Sequence, residues 1–432
     1  MSNKARNLQT NDIDILYIVD LKHRDLPIAK RIGHHLTLNG QIVALSNGAI
    51  TFDQIRTINP KLIIIPKANW NQTIVAKCIL KSIKVSVVET EGNPQDNFFK
   101  AKVILPPDLH LFWNREQLSL YSYSPITKKC VLGNPRTDLI IDSYNALIKV
   151  PQIKPSERFI TIATASQDTH YSTSMLKNKA KRRRNSVSTT TDYTDAVEDM
   201  NYQRDVVTEF LKQYSQSDLP HKICLKPHPH EAVIYWQTLI KEINDERIHL
   251  MLGKPIEDLL SISKFHISYA ACSTSAEALL MKLPVLQLRA PNSLKNYHQA
   301  HLGACHYNSS NASQMFETID ILFDPINQQI DAAVATNSIV VQNYVSRYFH
   351  IADGFRAKAY ADTLNSFINS KVLVNKLYFL PRLFKAICLS ILSDLKNKAL
   401  NNSRKETIKS EDFQDYVKSL YDHHIESLVI CE

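Results

Sequence analysis

Residues 222–231 read Lys222-Ile223-Cys224-Leu225-Lys226-Pro227-His228-Pro229-His230-Glu231. The first half is a short apolar run of the kind that forms a strand buried on both faces. The second half is a bend. Its two prolines fix the backbone and leave Lys226 and His228 little conformational freedom. Helical spacing resumes at 231–243. A strand, a bend and a helix make one β-α step of a parallel sheet, and in such sheets ligands bind beyond the C-terminal ends of the strands. A cation and an imidazole at that edge suit a phosphate or diphosphate.

The same step recurs on both sides of this stretch. Strands fit Phe159–Ala165, His249–Leu252, Phe265–Tyr269 and Pro284–Leu288, with helices at about 203–214, 256–263 and 275–282. Nearer the N-terminus, strands fit Ile15–Asp20, Gln41–Leu45, Lys61–Pro66 and Val85–Glu91, and a short one leads into Gly133. The rhythm predicts an α/β protein with two Rossmann-like, doubly wound domains facing a cleft. Pro151 to Pro155 reads as the hinge. This gives an N-terminal domain over 1–150, a C-terminal domain over 151–345, crossover helices at 346–370 and a tail at 371–432. Residues 166–200, rich in Ser and Thr and carrying Lys177, Lys179, Lys181 and Arg182 to Arg184, read as a flexible basic insertion.

Composition agrees with two ordinary cores. The chain has 432 residues, 44% hydrophobic and 22% charged, which excludes wholesale disorder. With only 8 glycines, neither the P-loop nor the dinucleotide-binding spacing occurs. Seven scattered cysteines without a Cys-x-x-Cys pair read as reduced thiols of a cytoplasmic protein. Met1 to Asp12 is polar, and no stretch reaches the ~20 apolar residues that cross a bilayer. The net charge of +9 gathers late: nine basic residues lie between 371 and 410, against Asp394 and Glu406. Within 376–398 they alternate with apolar residues near a helical period, as in a basic amphipathic helix resting on an anionic membrane. On that reading the protein is expected at the inner face of the cytoplasmic membrane; the alternative is a helix packed on the protein's own core. No nucleic-acid partner is expected.

Three further stretches carry chemistry. Cys272-Ser273-Thr274-Ser275-Ala276-Glu277 follows a strand and opens a helix, where hydroxyls cap free N–H groups and the dipole draws anions. Ser273, Thr274 and Ser275 are thus read as binding the same phosphate as Lys226 and His228. Glu89-Thr90-Glu91-Gly92 puts two carboxylates at a strand end, as transfer to a hydroxyl requires. Two cationic patches, Lys22-His23-Arg24-Asp25 and Gly133-Asn134-Pro135-Arg136-Thr137-Asp138, also close strands. From them Lys22, Arg24, Asp25 and Arg136 are candidates for meeting an anionic sugar or acceptor.

Together these motifs, with Trp113 to Gln117, resemble the bacterial surface carbohydrate biosynthesis glycosyltransferases of the GT-B fold, from about Ile15 to Ala361. The acidic-Gly, His-Pro and Ser/Thr elements are also similar to those of sialyltransferases and Kdo transferases, which use CMP-sugars. The resemblance implies a nucleotide-sugar donor, a glycan or glycolipid acceptor, and no cofactor. It implies Glu91 as the catalytic carboxylate with Glu89 as second choice, His228 as the group that stabilises the leaving CMP, and Glu277 on the nucleotide ribose. One departure stands out: Thr90 separates two acids that are adjacent in many sialyltransferases. No Asp-x-Asp pair stands at the ligand edge, so a metal-independent reaction is expected. A CDP-polyol phosphotransferase of teichoic-acid type, a sugar-nucleotide epimerase and a non-catalytic assembly protein remain alternatives.

Overall fold

In a computed structural model the chain is described over residues 12–90, 100–101, 105–119, 121, 127–149, 159–166, 187–188, 193–229, 231–269, 272–291, 305–323, 338–370 and 428–430. It divides into two units. One holds 1–92, 101–136 and 355–432, and the other holds 93–100 and 137–354.

The first unit is a wholly parallel sheet. Its strands are β1 (Ile15–Val19), β2 (Val43–Asn47), β3 (Leu62–Ile65), β4 (Lys84–Val88), β5 (Leu109–Phe112) and β6 (Lys128–Val131). They lie in the order β2-β1-β3-β4-β5-β6, and a C-terminal strand, Leu428–Ile430, pairs outside β2. Helices α1 (Lys22–Leu38), α2 (Phe52–Ile58), α3 (Gln72–Leu80) and α4 (Arg115–Ser119) make the connections. Strands covered on both faces need apolar side chains on both, and β1 and β3 are buried at every position. The order in which strands are added reverses between β1 and β3, so the switch point lies beyond Val19 and Ile65.

The second unit repeats the plan. Helix α5 (Thr137–Lys149) precedes β7 (Phe159–Ala163), α6 (Tyr193–Ser215), β8 (Lys222–Lys226), α7 (Val233–Ile243), β9 (Ile248–Leu250) and α8 (Ile256–Ser261). Then come β10 (Ser263–Tyr269), α9 (Ser273–Leu280), β11 (Val285–Leu288), β12 (Tyr307–Ser309), α10 (Ala312–Phe323) and α11 (Ser338–Phe349). The sheet order is β9-β8-β7-β10-β11-β12, all parallel. Its switch point falls between β7 and β10. The fold is therefore α/β with two doubly wound units, as the β-α rhythm predicted.

Several boundaries differ from the sequence reading. The chain changes unit between Arg136 and Thr137, ahead of the prolines at 151–155, because α5 packs on α8 and α9. Helix α6 begins at Tyr193, so the last part of the supposed 166–200 insertion is helical. Val197, Val207, Phe210, Leu211 and Tyr214 recur at helical spacing and are buried. The rest of that insertion lies outside the described residues, apart from Ser166 and the short strand at 187–188. Of the crossover helices, α11 stays with the second unit, while α12 (Arg356–Asn369) packs along α1 in the first. Lys84 fastens α12: its Nζ donates to the carbonyls of Phe367, Ile368 and Ser370 at 2.9–3.0 Å, answering acceptors that a helix end leaves open. The basic segment 376–398 is outside the described residues. Among those described, no helix is long and apolar enough to cross a membrane.

Candidate functional site

The second unit's ligand edge is built around one carboxylate. Glu231 is only 8% exposed. Its Oε1 accepts from Thr164 Oγ1 at 2.7 Å, from the Ser166 N–H at 2.8 Å and from the His228 N–H at 3.0 Å. Its Oε2 accepts from the Trp236 indole at 2.7 Å. The Glu231 N–H returns to the His228 carbonyl at 2.9 Å. One side chain thus ties the exit of β7 to the bend after β8 and to α7. Ser166 Oγ also meets the Tyr269 hydroxyl at 2.9 Å, which joins β7 to β10 across the switch point. The prolines alone do not set this bend: the buried carboxylate orients the peptides on which Lys226 and His228 stand. Both of these side chains are half-buried, and His230 lies outside the described residues.

Helix α9 starts at the same edge, but its hydroxyls do not cap it. The residue before the helix is Cys272, which makes no side-chain capping bond. Thr274 Oγ1 lies 3.0 Å from His266 Nε2 and donates to Cys272 Sγ at 3.2 Å. Ser275 is 1% exposed and bonds Ser268 in the sheet below. Ser273 alone of the three is exposed. Glu277 is buried. Burial pushes the Cys272 thiol up, Thr274 draws it down, and the charge of Glu277 raises it while that of Lys226 lowers it. Lys226 and Glu277 therefore bear on the same atom. Burial drives His266 down to about 3, so its imidazole is neutral.

The first unit's edge is made differently. Arg24 stands in the first turn of α1, after Lys22, and its Nε and Nη2 hold Asp25 at 2.5 and 3.0 Å. Arg24 Nη2 also donates to Thr90 Oγ1 at 3.2 Å and lies 3.9 Å from Asp20. Asp20 in turn meets Lys67 Nζ at 3.1 Å, bridging the ends of β1 and β3 at the switch point. The buried Asp25 accepts the Leu21 N–H at 2.9 Å, which holds the start of α1 at the end of β1. Arg24 and Asp25, expected to meet a ligand, answer each other.

Glu89 is 3% exposed, and its Oε1 lies 2.8 Å from His110 Nε2 and accepts from the Tyr121 hydroxyl at 2.9 Å. Glu91, the other acid of the motif, lies outside the described residues. The Gly133 turn takes a positive φ of 87° and is held by α12: Tyr360 donates to the Gly133 carbonyl at 2.9 Å and Arg356 to that of Leu132 at 3.0 Å. Arg136 is half-buried in this turn, with its N–H on Asn134 Oδ1 at 2.9 Å. The sequence signal for Glu231 was present, three residues beyond His228, but it read as a helix start. His110 and Tyr121 had none, since their partner is distant along the chain.

The family model described as alpha-2,8-polysialyltransferase matches residues 122–283, less than half of the chain. The match spans the Gly133 turn, the His-Pro bend and the start of α9. Among curated proteins none matches the chain. Three solved structures are similar over most of its length. The Staphylococcus aureus MnaA–UDP structure shows 12% identity and a TM-score of 0.48, covering 83% of this chain and 97% of that one. The UDP-GlcNAc 2-epimerase of Neisseria meningitidis bound to UDP-GlcNAc shows 12% and 0.48, covering 82% and 99%. A glycosyltransferase from Rickettsia africae ESF-5 shows 12% and 0.46, covering 83% and 100%.

Proposed function

We propose that the protein is a glycosyltransferase of GT-B type. It transfers a sugar from a nucleotide-activated donor, a CMP-linked acidic sugar such as Kdo or a nonulosonic acid, to a growing surface polysaccharide or glycolipid. The observation that carries this reading is a coincidence. The stretch similar to the polysialyltransferase family contains the bend in which Glu231 fixes the backbone of His228, at the ligand edge of the second sheet.

In this reading His228 and Lys226 meet the donor phosphate and stabilise the leaving nucleotide, which needs no cofactor and no metal. Ser273 and the start of α9 add N–H groups and a dipole; Thr274 and Ser275 act through the packing that seats them, and Glu277 serves the ribose. The first unit serves the acceptor. Glu91 takes the acceptor hydroxyl's proton, with Glu89 as the neighbouring acid, and Lys22, Arg24, Asp25 and Arg136 line the acceptor or sugar side. Segment 376–398 rests on anionic lipid at the inner face of the cytoplasmic membrane, where lipid-linked acceptors are found.

The test is donor turnover with each nucleotide class. Release of CMP from a CMP-sugar, increased by a glycan acceptor, is the expected result. Turnover of CDP-glycerol or CDP-ribitol instead would make the protein a polyol-phosphate transferase, and conversion of a UDP-sugar without acceptor would make it an epimerase. Folded protein that turns over none of them would point to an assembly role.

A further inference from the structure

The motif at the end of β4 holds two acids, and the structure gives one of them surroundings unlike those of a base. Glu89 is 3% exposed and His110, on the neighbouring strand β5, is fully buried. The imidazole is stacked on Phe112 with ring centroids 3.8 Å apart and meets the Tyr121 ring edge-on at 4.9 Å. These two rings flank it beside the carboxylate it faces at 2.8 Å. The Tyr121 hydroxyl donates to the same oxygen at 2.9 Å. The backbone is held as well: the Trp113 indole donates to the Glu89 carbonyl at 2.8 Å. Trp113 is fixed in turn, its N–H on Gln117 Oε1 at 2.8 Å and the Gln117 N–H on Asn114 Oδ1 at 2.7 Å. The next residue, Thr90, is pinned by its N–H to the Pro66 carbonyl at 3.1 Å and by Arg24 at its hydroxyl.

A proton-accepting carboxylate must reach a substrate hydroxyl within hydrogen-bond distance. A buried one whose oxygen already serves two protein groups is better suited to holding a strand end in place. Burial lowers the His110 pKa against the pull of Glu89, so the ring does not add a second charge beside the carboxylate.

We infer that Glu89, His110, Tyr121 and Trp113 form a positioning lock, which fixes where and in what direction the chain leaves β4, and that Glu89 acts through this lock without touching substrate. The inference rests on the proposed transfer reaction for its functional meaning. It gives the Trp113 to Gln117 stretch a purpose: it is the strap that holds the indole against the Glu89 carbonyl.

The experiment compares Glu89→Ala, Glu89→Gln and His110→Ala in the full chain, by steady-state transfer from a CMP-sugar and by hydrogen exchange at the Glu89 and Thr90 amides. A glutamine keeps an acceptor oxygen for Tyr121 and His110 but cannot take a proton. The lock predicts that alanine at either position lowers kcat on the order of 100-fold, the scale of a ~1 Å misplacement, with donor KM unchanged. It also predicts faster exchange at Thr90 for both alanine variants, and that Glu89→Gln recovers most of both losses. If glutamine were as damaging to kcat as alanine while exchange stayed slow, Glu89 would be the base itself and the lock would fail. It would also fail if neither alanine variant changed kcat or exchange. Should the unaltered protein transfer nothing, the functional reading falls, and the exchange rates still decide the lock.

Discussion

At the switch point of the first sheet, Asp20 and Lys67 close a 3.1 Å ion pair; at that of the second, the neutral hydroxyls of Ser166 and Tyr269 meet at 2.9 Å. The contrast runs along both edges. In the first unit, Arg24, Asp25, Asp20 and Lys67 pair charge with charge, from the buried Asp25 out to the exposed Lys67. In the second, Glu231 is out of solvent and gathers a hydroxyl, two backbone N–H groups and an indole. Exposed ion pairs contribute little and fix little. A buried carboxylate that holds backbone amides sets the direction of peptides. On this account the second edge is a preorganised phosphate cradle, and the first is a holder of side chains with a locked exit from β4.

The largest effect that would break this comparison lies at the bend. His228→Ala and Lys226→Ala should each lower kcat/KM by roughly 100-fold or more, as removal of a leaving-group stabiliser does, with little change in stability. Steady-state transfer assays with thermal melts alongside check it, and full activity in either variant would detach the bend from catalysis. Glu231→Ala should be the most destabilising single change at either edge. It strands Thr164, Ser166, His228 and Trp236 donors in the interior, at a cost of roughly 3 kcal/mol, on the order of 10 °C in Tm for a unit of this size. Thermal unfolding measures it. A loss no greater than that from Lys67→Met would remove the contrast.

Acid acts on both units, through His110 in the first, whose pKa burial lowers, and through two histidines in the second. Burial lowers His266 to about 3, and burial with the charge of Lys264 lowers His221 to about 4, both in the second unit. Between about pH 6.5 and these values the unfolded chain binds protons that the folded one does not. Stability is then fully present above about 6.5 and is lost as pH falls toward 4. Hydrogen exchange followed from pH 7 to 4.5 should show the second sheet loosening, and His221→Asn should blunt that loss. The smallest effect is at the first switch point. The Lys67 side chain is 42% exposed. Lys67→Met should cost no more than about 1 kcal/mol by chemical denaturation.

Much of the fold was legible because strands buried on both faces write themselves as unbroken apolar runs. Ile15–Val19, Leu62–Ile65 and Phe265–Tyr269 were found that way. Leu109–Phe112 was not, since its His110 makes sense only beside Glu89, and the polar edge strand Tyr307–Ser309 carries no apolar signal. The residue types of the candidate site were legible and their directions were not. Three consecutive hydroxyls looked like a cap, whereas helical rotation turns Ser275 into the sheet, sets Thr274 on His266 and leaves Ser273 outside. Glu231 was hidden in a familiar role, because an acid at a helix start is ordinary until its four partners are seen.

The central claim, that the Glu231-braced bend binds a nucleotide phosphate, is met most directly by thermal-shift titration of the full chain with CMP, CDP, UDP and GDP, repeated with His228→Ala and Lys226→Ala. A nucleotide bound only by the folded form at 100 times its Kd adds about 2.7 kcal/mol. The account predicts such a shift with CMP above the others, and its loss in both variants at unchanged intrinsic stability. No shift with any nucleotide, or a CMP shift indifferent to Lys226 and His228, would contradict it.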